Sequence, residues 1–241
     1  MKKIHKNVLF YSSIFSITML FSALIFVAYG RISSQVFSSQ SGRQYTVVLD
    51  SGHGGEDGGA VGQNGIMEKN INLEIAKKIR DMLEASGYKV IMTREEDKAI
   101  YDSSTNTLRE KKRSDLKNRL ELLKSNTNDD SIFVSIHQNK FSDSKYFGSQ
   151  IFYSKNNIKS QDLANCIKES IVGLIQPKNT REIKPADKNI YLLHNAEGPS
   201  VVVECGFLSN EEEANKLNSS EYQEQMAFSI YCGITNYFIN L

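Results

Sequence analysis

Apolar positions along this chain fall into two rhythms that alternate from residue 45 onward. Residues 45–50, 89–93, 131–136, 149–153 and 200–204 are short runs carrying Val, Ile, Phe, Tyr or Met, and 189–193 is a further brief apolar run. Each reads as a strand. Between them apolar residues recur at helical spacing. Ile71, Ile75, Ile79 and Leu83, flanked by Ala76 and Met82, predict a helix over 68–86 that Gly87 ends. Leu116, Leu120 and Leu123 predict one over 109–125, and 161–175 reads as another. Met226, Ile230, Ile234 and Phe238 line one side of a closing helix over 221–239. Asn210 followed by Glu211, Glu212 and Glu213 is a helix start, because a capping amide and first-turn acids satisfy its free N–H groups. Residues 51–65 hold seven glycines, so the first strand must empty into a tightly bent loop, and the polar 94–108 reads as a second loop. Strands alternating with helices predict an α/β layered sheet.

The N-terminus breaks this rhythm. Three lysines within residues 1–7 precede an uncharged stretch, 8–29, long enough to cross a bilayer as a helix. Lysines on its N-terminal side keep that end in the cytoplasm and send the rest outside. The segment is either a membrane anchor or a signal peptide cut near Ala28-Tyr29-Gly30, and both readings export the remainder of the chain. Residues 1–30 are assigned to it, the Ser- and Gln-rich 31–43 to a linker, and 44–241 to one domain.

Charge follows the same division. Five of the 29 basic residues precede position 44, where no acid stands, so the domain holds 24 bases against 28 acids. A mildly acidic domain argues against nucleic acid, whose capture rests on neutralising phosphates. An anionic polymer would have to be held by local contacts and a metal. Cys166, Cys205 and Cys232, with no Cys-x-x-Cys among them, read as buried thiols, and a Cys166–Cys232 bridge is left open.

The candidate chemistry gathers at strand ends. His53 lies in Leu49-Asp50-Ser51-Gly52-His53-Gly54-Gly55, Glu68 opens the first helix, His137 lies in Ser135-Ile136-His137-Gln138-Asn139, and Glu204 follows Val201-Val202-Val203. α/β proteins place their sites at strand ends. Two imidazoles and a carboxylate supply the three protein ligands of a hydrolytic zinc site, and a second carboxylate can move the proton of an activated water. Plainer readings exist for each. Glu68 suits the helix N-terminus as a charge, His137 can bond to backbone, and Glu204 can form an ion pair with Arg94 or Arg119. The glycine loop lacks the Lys-Ser/Thr ending of a P-loop, no Gly-x-Ser-x-Gly elbow occurs, and burial makes Cys205 inert. His194 reads as an exposed loop residue.

These motifs, with residues 148–153 and Glu204-Cys205-Gly206-Phe207-Leu208-Ser209-Asn210, resemble the zinc-dependent N-acetylmuramoyl-L-alanine amidases of the amidase-3 type from residue 45 to the C-terminus. The resemblance implies a single α/β domain with a mixed, mostly parallel sheet of about six strands and helices on both faces. It implies one zinc per chain on His53, Glu68 and His137, and Glu204 as the catalytic base and acid. Asn139 is an expected substrate contact. The implied reaction cleaves the amide between N-acetylmuramic acid and the L-alanine of the peptidoglycan stem. A zinc peptidase cutting inside the stem, or a non-catalytic murein-binding module, is the alternative. The brief 154–160 leaves no room for the inhibitory helix of self-blocked relatives, so control falls to timing, location or an exported partner. A lone domain behind an apolar segment resembles the sporulation amidases that allow muramic-δ-lactam to form in spore cortex. That setting implies the intermembrane space of the forespore.

Overall fold

The computed structural model describes residues 44–62 and 65–241, and the expected apolar segment and linker in 1–43 lie outside the described residues. Six strands form one sheet: β1 (Thr46–Ser51), β2 (Lys89–Met92), β3 (Ser131–Asn139), β4 (Gln150–Tyr153), β5 (Lys184–Pro185) and β6 (Ser200–Phe207). Their order across the sheet is β2-β1-β3-β6-β4-β5. Neighbours run parallel except β4, which is antiparallel to β6. The mixed, mostly parallel sheet therefore stands as the resemblance implied.

Six helices pack on it among the described residues: α1 (Glu68–Ala85), α2 (Leu108–Ser125), α3 (Lys159–Leu174), α4 (Tyr191–Asn195), α5 (Glu211–Leu217) and α6 (Ser220–Ile239). Side chains alternate across a strand, so each strand feeds two cores. Val47, Leu49, Val134, Ile136, Val201 and Val203 meet the apolar stripes of α1, α3 and α6 on one face. Val48, Phe133 and Val202 point to the other, where Leu120 and Leu123 of α2 and Leu192 and Leu193 of α4 close the layer. Among the described residues no helix is long and apolar enough to cross a membrane.

Two expectations are corrected. Residues 189–193 are not a strand: Tyr191–Asn195 is a short helix, and Leu192 and Leu193 are buried beneath it. The sixth strand is instead the two-residue β5 beside β4. The second concerns the cysteines: all three are free thiols, which closes the open disulfide, but Cys205 alone is buried, and Cys166 and Cys232, near the surface, are half-buried.

Candidate metal centre and active site

Parallel strands β1, β3 and β6 all end at one edge of the sheet. Ser51 pairs with Ile136, so His53 leaves β1 close to the level of His137 on β3. His137 in turn pairs directly with Glu204 on β6. β3 runs on through His137 to Asn139 with an irregularity between these two residues, and β6 runs on to Phe207; both are longer than their apolar runs suggested. Glu68 enters from the first turn of α1.

Ligand atoms of His53, Glu68 and His137 all lie within 4.8 Å of one another. Glu68 Oε1 is 3.3 Å from His53 Nε2 and 2.9 Å from His137 Nδ1. Its own placement is fixed by the backbone: Ala60 N–H donates to Oε2 at 2.7 Å and Gln138 N–H to Oε1 at 3.0 Å. Burial opposes the charge of Glu68, yet the two histidines outweigh it and hold the carboxyl well below its usual range. Burial likewise opposes the imidazolium of His53, but bonds to Asp57 and Glu68 lift it to about 9.

The glycines leave room for these groups. A Cβ on Gly52 would overlap the His137 ring. One on Gly59, where φ is +68°, would stand 2.6 Å from Glu68 Oε2 and 2.7 Å from His53 Cδ2. His53 itself has φ +63°, a left-handed backbone rare outside glycine and common where a site stores strain. Arg119 Nη2 donates to the His53 carbonyl at 2.7 Å and pins that conformation.

Glu204 stands beside this group without a hydrogen-bond partner among the described residues. Its Oε2 is buried and receives no hydrogen bond. Burial pushes the carboxyl up to about 7, Glu68 adds to the rise, and His137 and His53 counter it. The ion pair weighed for Glu204 is not formed. Arg119 is held by Asp50 and Asp115 at 2.5 and 2.6 Å, while Arg94 donates to the carbonyls of Ser51, Gly52, Lys69 and Glu96. Asn139 lies two residues past His137, and its Oδ1 accepts from Lys140 N–H at 2.8 Å. His194 sits on α4 and is exposed, and its carbonyl accepts from Asn156. Cys205 is buried with its thiol pushed far up by that burial.

Two groups escaped the sequence reading. Asp57 Oδ2 lies 2.9 Å from His53 Nδ1; an acid four residues past a loop histidine was the available signal. Gln150 pairs with Glu204 across β4 and β6, and its Oε1 is buried without a partner among the described residues; no pattern in the sequence marks it. A cavity of about 720 Å³ near Phe147, Gln176, Lys216 and Tyr222 includes none of the metal-site residues.

The chain belongs to the N-acetylmuramoyl-L-alanine amidase family, Amidase_3, whose model matches residues 47–236. It is thus a peptidoglycan amidase, a cell-wall hydrolase. It is 38% identical over 192 residues to the germination-specific N-acetylmuramoyl-L-alanine amidase of Bacillus subtilis, covering 80% of this chain and 79% of that one. Among solved structures, the CwlD amidase from Clostridioides difficile, in complex with the GerS lipoprotein, is 46% identical with a TM-score of 0.78, over 82% of this chain and 100% of that one. The amidase AmiC2 of Nostoc punctiforme is 30% identical with a TM-score of 0.68, over 83% and 99%.

Proposed function

We propose that this amidase hydrolyses the bond between the lactyl group of N-acetylmuramic acid and L-alanine, with one zinc ion on His53, Glu68 and His137 and with Glu204 as general base and acid. The residues fit the ion. Two imidazole nitrogens and one carboxylate oxygen converge, as catalytic zinc requires, and Gly52 and Gly59 leave space that side chains would fill. Bound there, zinc supplies a Lewis acid for the lactyl carbonyl and a water acidified to near neutrality.

The observation that carries the reading is Glu204. A half-buried carboxyl at the strand edge, whose Oε2 meets no hydrogen-bond donor among the described residues, is placed to accept a proton from water and return it. Glu204 takes the proton of the attacking water and delivers it to the alanine nitrogen. The carbon–nitrogen bond then breaks, leaving a lactyl carboxylate on the glycan and a free amine on the stem. Asn139, whose oxygen is already taken by Lys140, offers its amide nitrogen to the glycan or the peptide backbone.

The wider setting rests on likeness. A germination-specific relative supports action on spore cortex, where freed lactyl groups become muramic-δ-lactam. Residues 1–30 as anchor or signal peptide put the domain outside the cytoplasm, in the forespore intermembrane space. The relative determined with a lipoprotein supports an exported protein partner here as well. The test is product analysis with the zinc-loaded full chain on vegetative and cortex murein. Intact stems with a free L-alanine amine are expected, and Glu204→Gln should abolish them while one zinc per chain remains. Cleavage between two stem residues would overturn the reading.

A further inference from the structure

We propose that Asp57 is a positioning residue for the metal centre: its carboxylate holds His53 Nδ1–H and so aims Nε2 at the shared metal position. The inference rests on the zinc reading above and adds a residue to it. His53 Nδ1 and Asp57 Oδ2 are 2.9 Å apart, and His53 Nε2 is the nitrogen turned toward Glu68. An imidazole has two nitrogens, and the partner of one decides which way the other points. Metal-binding histidines gain orientation and basicity from a carboxylate on the far nitrogen.

Asp57 is itself built in. Its backbone and that of Gly54 exchange two hydrogen bonds, at 3.0 and 3.1 Å, which close the loop around His53. Its second oxygen, Oδ1, accepts from Gly59 N–H at 3.2 Å and lies 2.8 Å from Lys112 Nζ on α2. The carboxylate therefore cannot swing away from the ring without breaking these further contacts. The need is acute because His53 sits in a left-handed backbone between glycines, and a backbone dihedral does not fix the ring plane. Arg119 holds the carbonyl of His53 and Asp57 holds the ring, so the residue is clamped at both ends.

The test uses the full chain and three measurements on each variant. Zinc affinity is read by competition with a chromophoric chelator, thermal unfolding is read on the metal-free protein, and the Nδ1–H signal of His53 is read by proton–nitrogen spectroscopy on the zinc-loaded protein. Asp57→Ala should weaken zinc binding about 10- to 100-fold, and the His53 Nδ1–H signal should vanish. Asp57→Asn, which keeps an acceptor but not the charge, should fall between. Glu56→Gln removes a neighbouring exposed acid that pairs with Lys111, away from the metal ligands, and it should leave zinc affinity within about threefold. Equal losses in Glu56→Gln and Asp57→Ala would make the effect one of general charge and overturn the proposal. So would an Asp57→Ala affinity within about threefold of the parent, or a loss fully matched by unfolding of the metal-free variant. Failure of the parent chain to bind zinc at all would instead strike the underlying reading, which keeps the two failures apart.

Discussion

At the scale of single residues, Glu204 shows folding and catalysis pulling apart. Its carboxyl ordinarily titrates near 4.5, and burial raises it to about 7 in the fold. A raised acid means that the folded state prefers the neutral form. The native state then binds the proton more tightly than the unfolded chain, so stability is whole below about 4.5 and declines as pH rises through 7. That window corresponds to about 3 kcal/mol. In chelator-treated full chain, Glu204→Gln should therefore match the parent near pH 4 and exceed its stability above pH 7, while turnover is lost. Urea unfolding at pH 4 and pH 8 checks this, and equal midpoints at pH 8 would show that the carboxyl is comfortably solvated. The carboxyl that could stabilise the fold if replaced is kept where its basicity serves the reaction.

At the scale of elements, the buried junction of β1, β3 and α2 sets the position of the glycine loop. Arg119 on α2 binds Asp50 on β1, which also accepts from Thr93 at 2.8 Å and from Ser135 on β3 at 2.5 Å. Burial alone would raise Asp50, but Arg119 foremost, then His137 and the two hydroxyls, lower it to about 2. A lowered acid stabilises the fold above its ordinary 3.8, and that contribution fades as pH falls through about 2. Arg119→Met would strand the Asp50 charge in the core and should cost about 3–5 kcal/mol at pH 7. Arg119→Met with Asp50→Asn should cost less than Arg119→Met alone, because the fully buried Asp50 charge is gone and only Asp115, at the rim of the junction, is left without Arg119. Urea unfolding of the parent, both singles and the double measures the cycle, and strict additivity would mean the pair is not coupled. The sequence marked these elements unevenly. The long amphipathic helices and Val-rich strands were legible because their stripes repeat over several turns or alternate over a full strand. Residues 189–193 were misread because a five-residue apolar run fits a strand and a buried helical turn equally well. β5 was invisible, since Lys184-Pro185 has no strand propensity and pairs only as a sheet edge.

At the scale of the whole molecule, the candidate ligands come from β1, α1 and β3, and the catalytic candidate from β6. The residue types were readable one motif at a time. Their meeting was implied by the family resemblance and not by periodicity or spacing, because it depends on the β1-β3-β6 order and on registers that chain order does not state. Gln150 went unread for the same reason, since it gains meaning only from Glu204 across β4 and β6, whereas Asp57 stands four residues past His53 in one loop and was within reach of the sequence. Ligands drawn from three separate elements make metal binding a constraint on the folded domain. An ion that binds only the folded state adds stability by mass action, about 2.7 kcal/mol at a hundredfold excess over its dissociation constant. For a domain of this size that is a rise of about 5–10 °C in Tm. Zinc should therefore raise the Tm of the chelator-treated full chain by that amount, and renewed chelator should reverse it. Glu204→Gln should keep the rise, and His137→Ala should lose most of it. Calorimetry on the three proteins decides: an unchanged rise in His137→Ala would place the stabilising ion somewhere other than the edge shared by β1, β3 and β6.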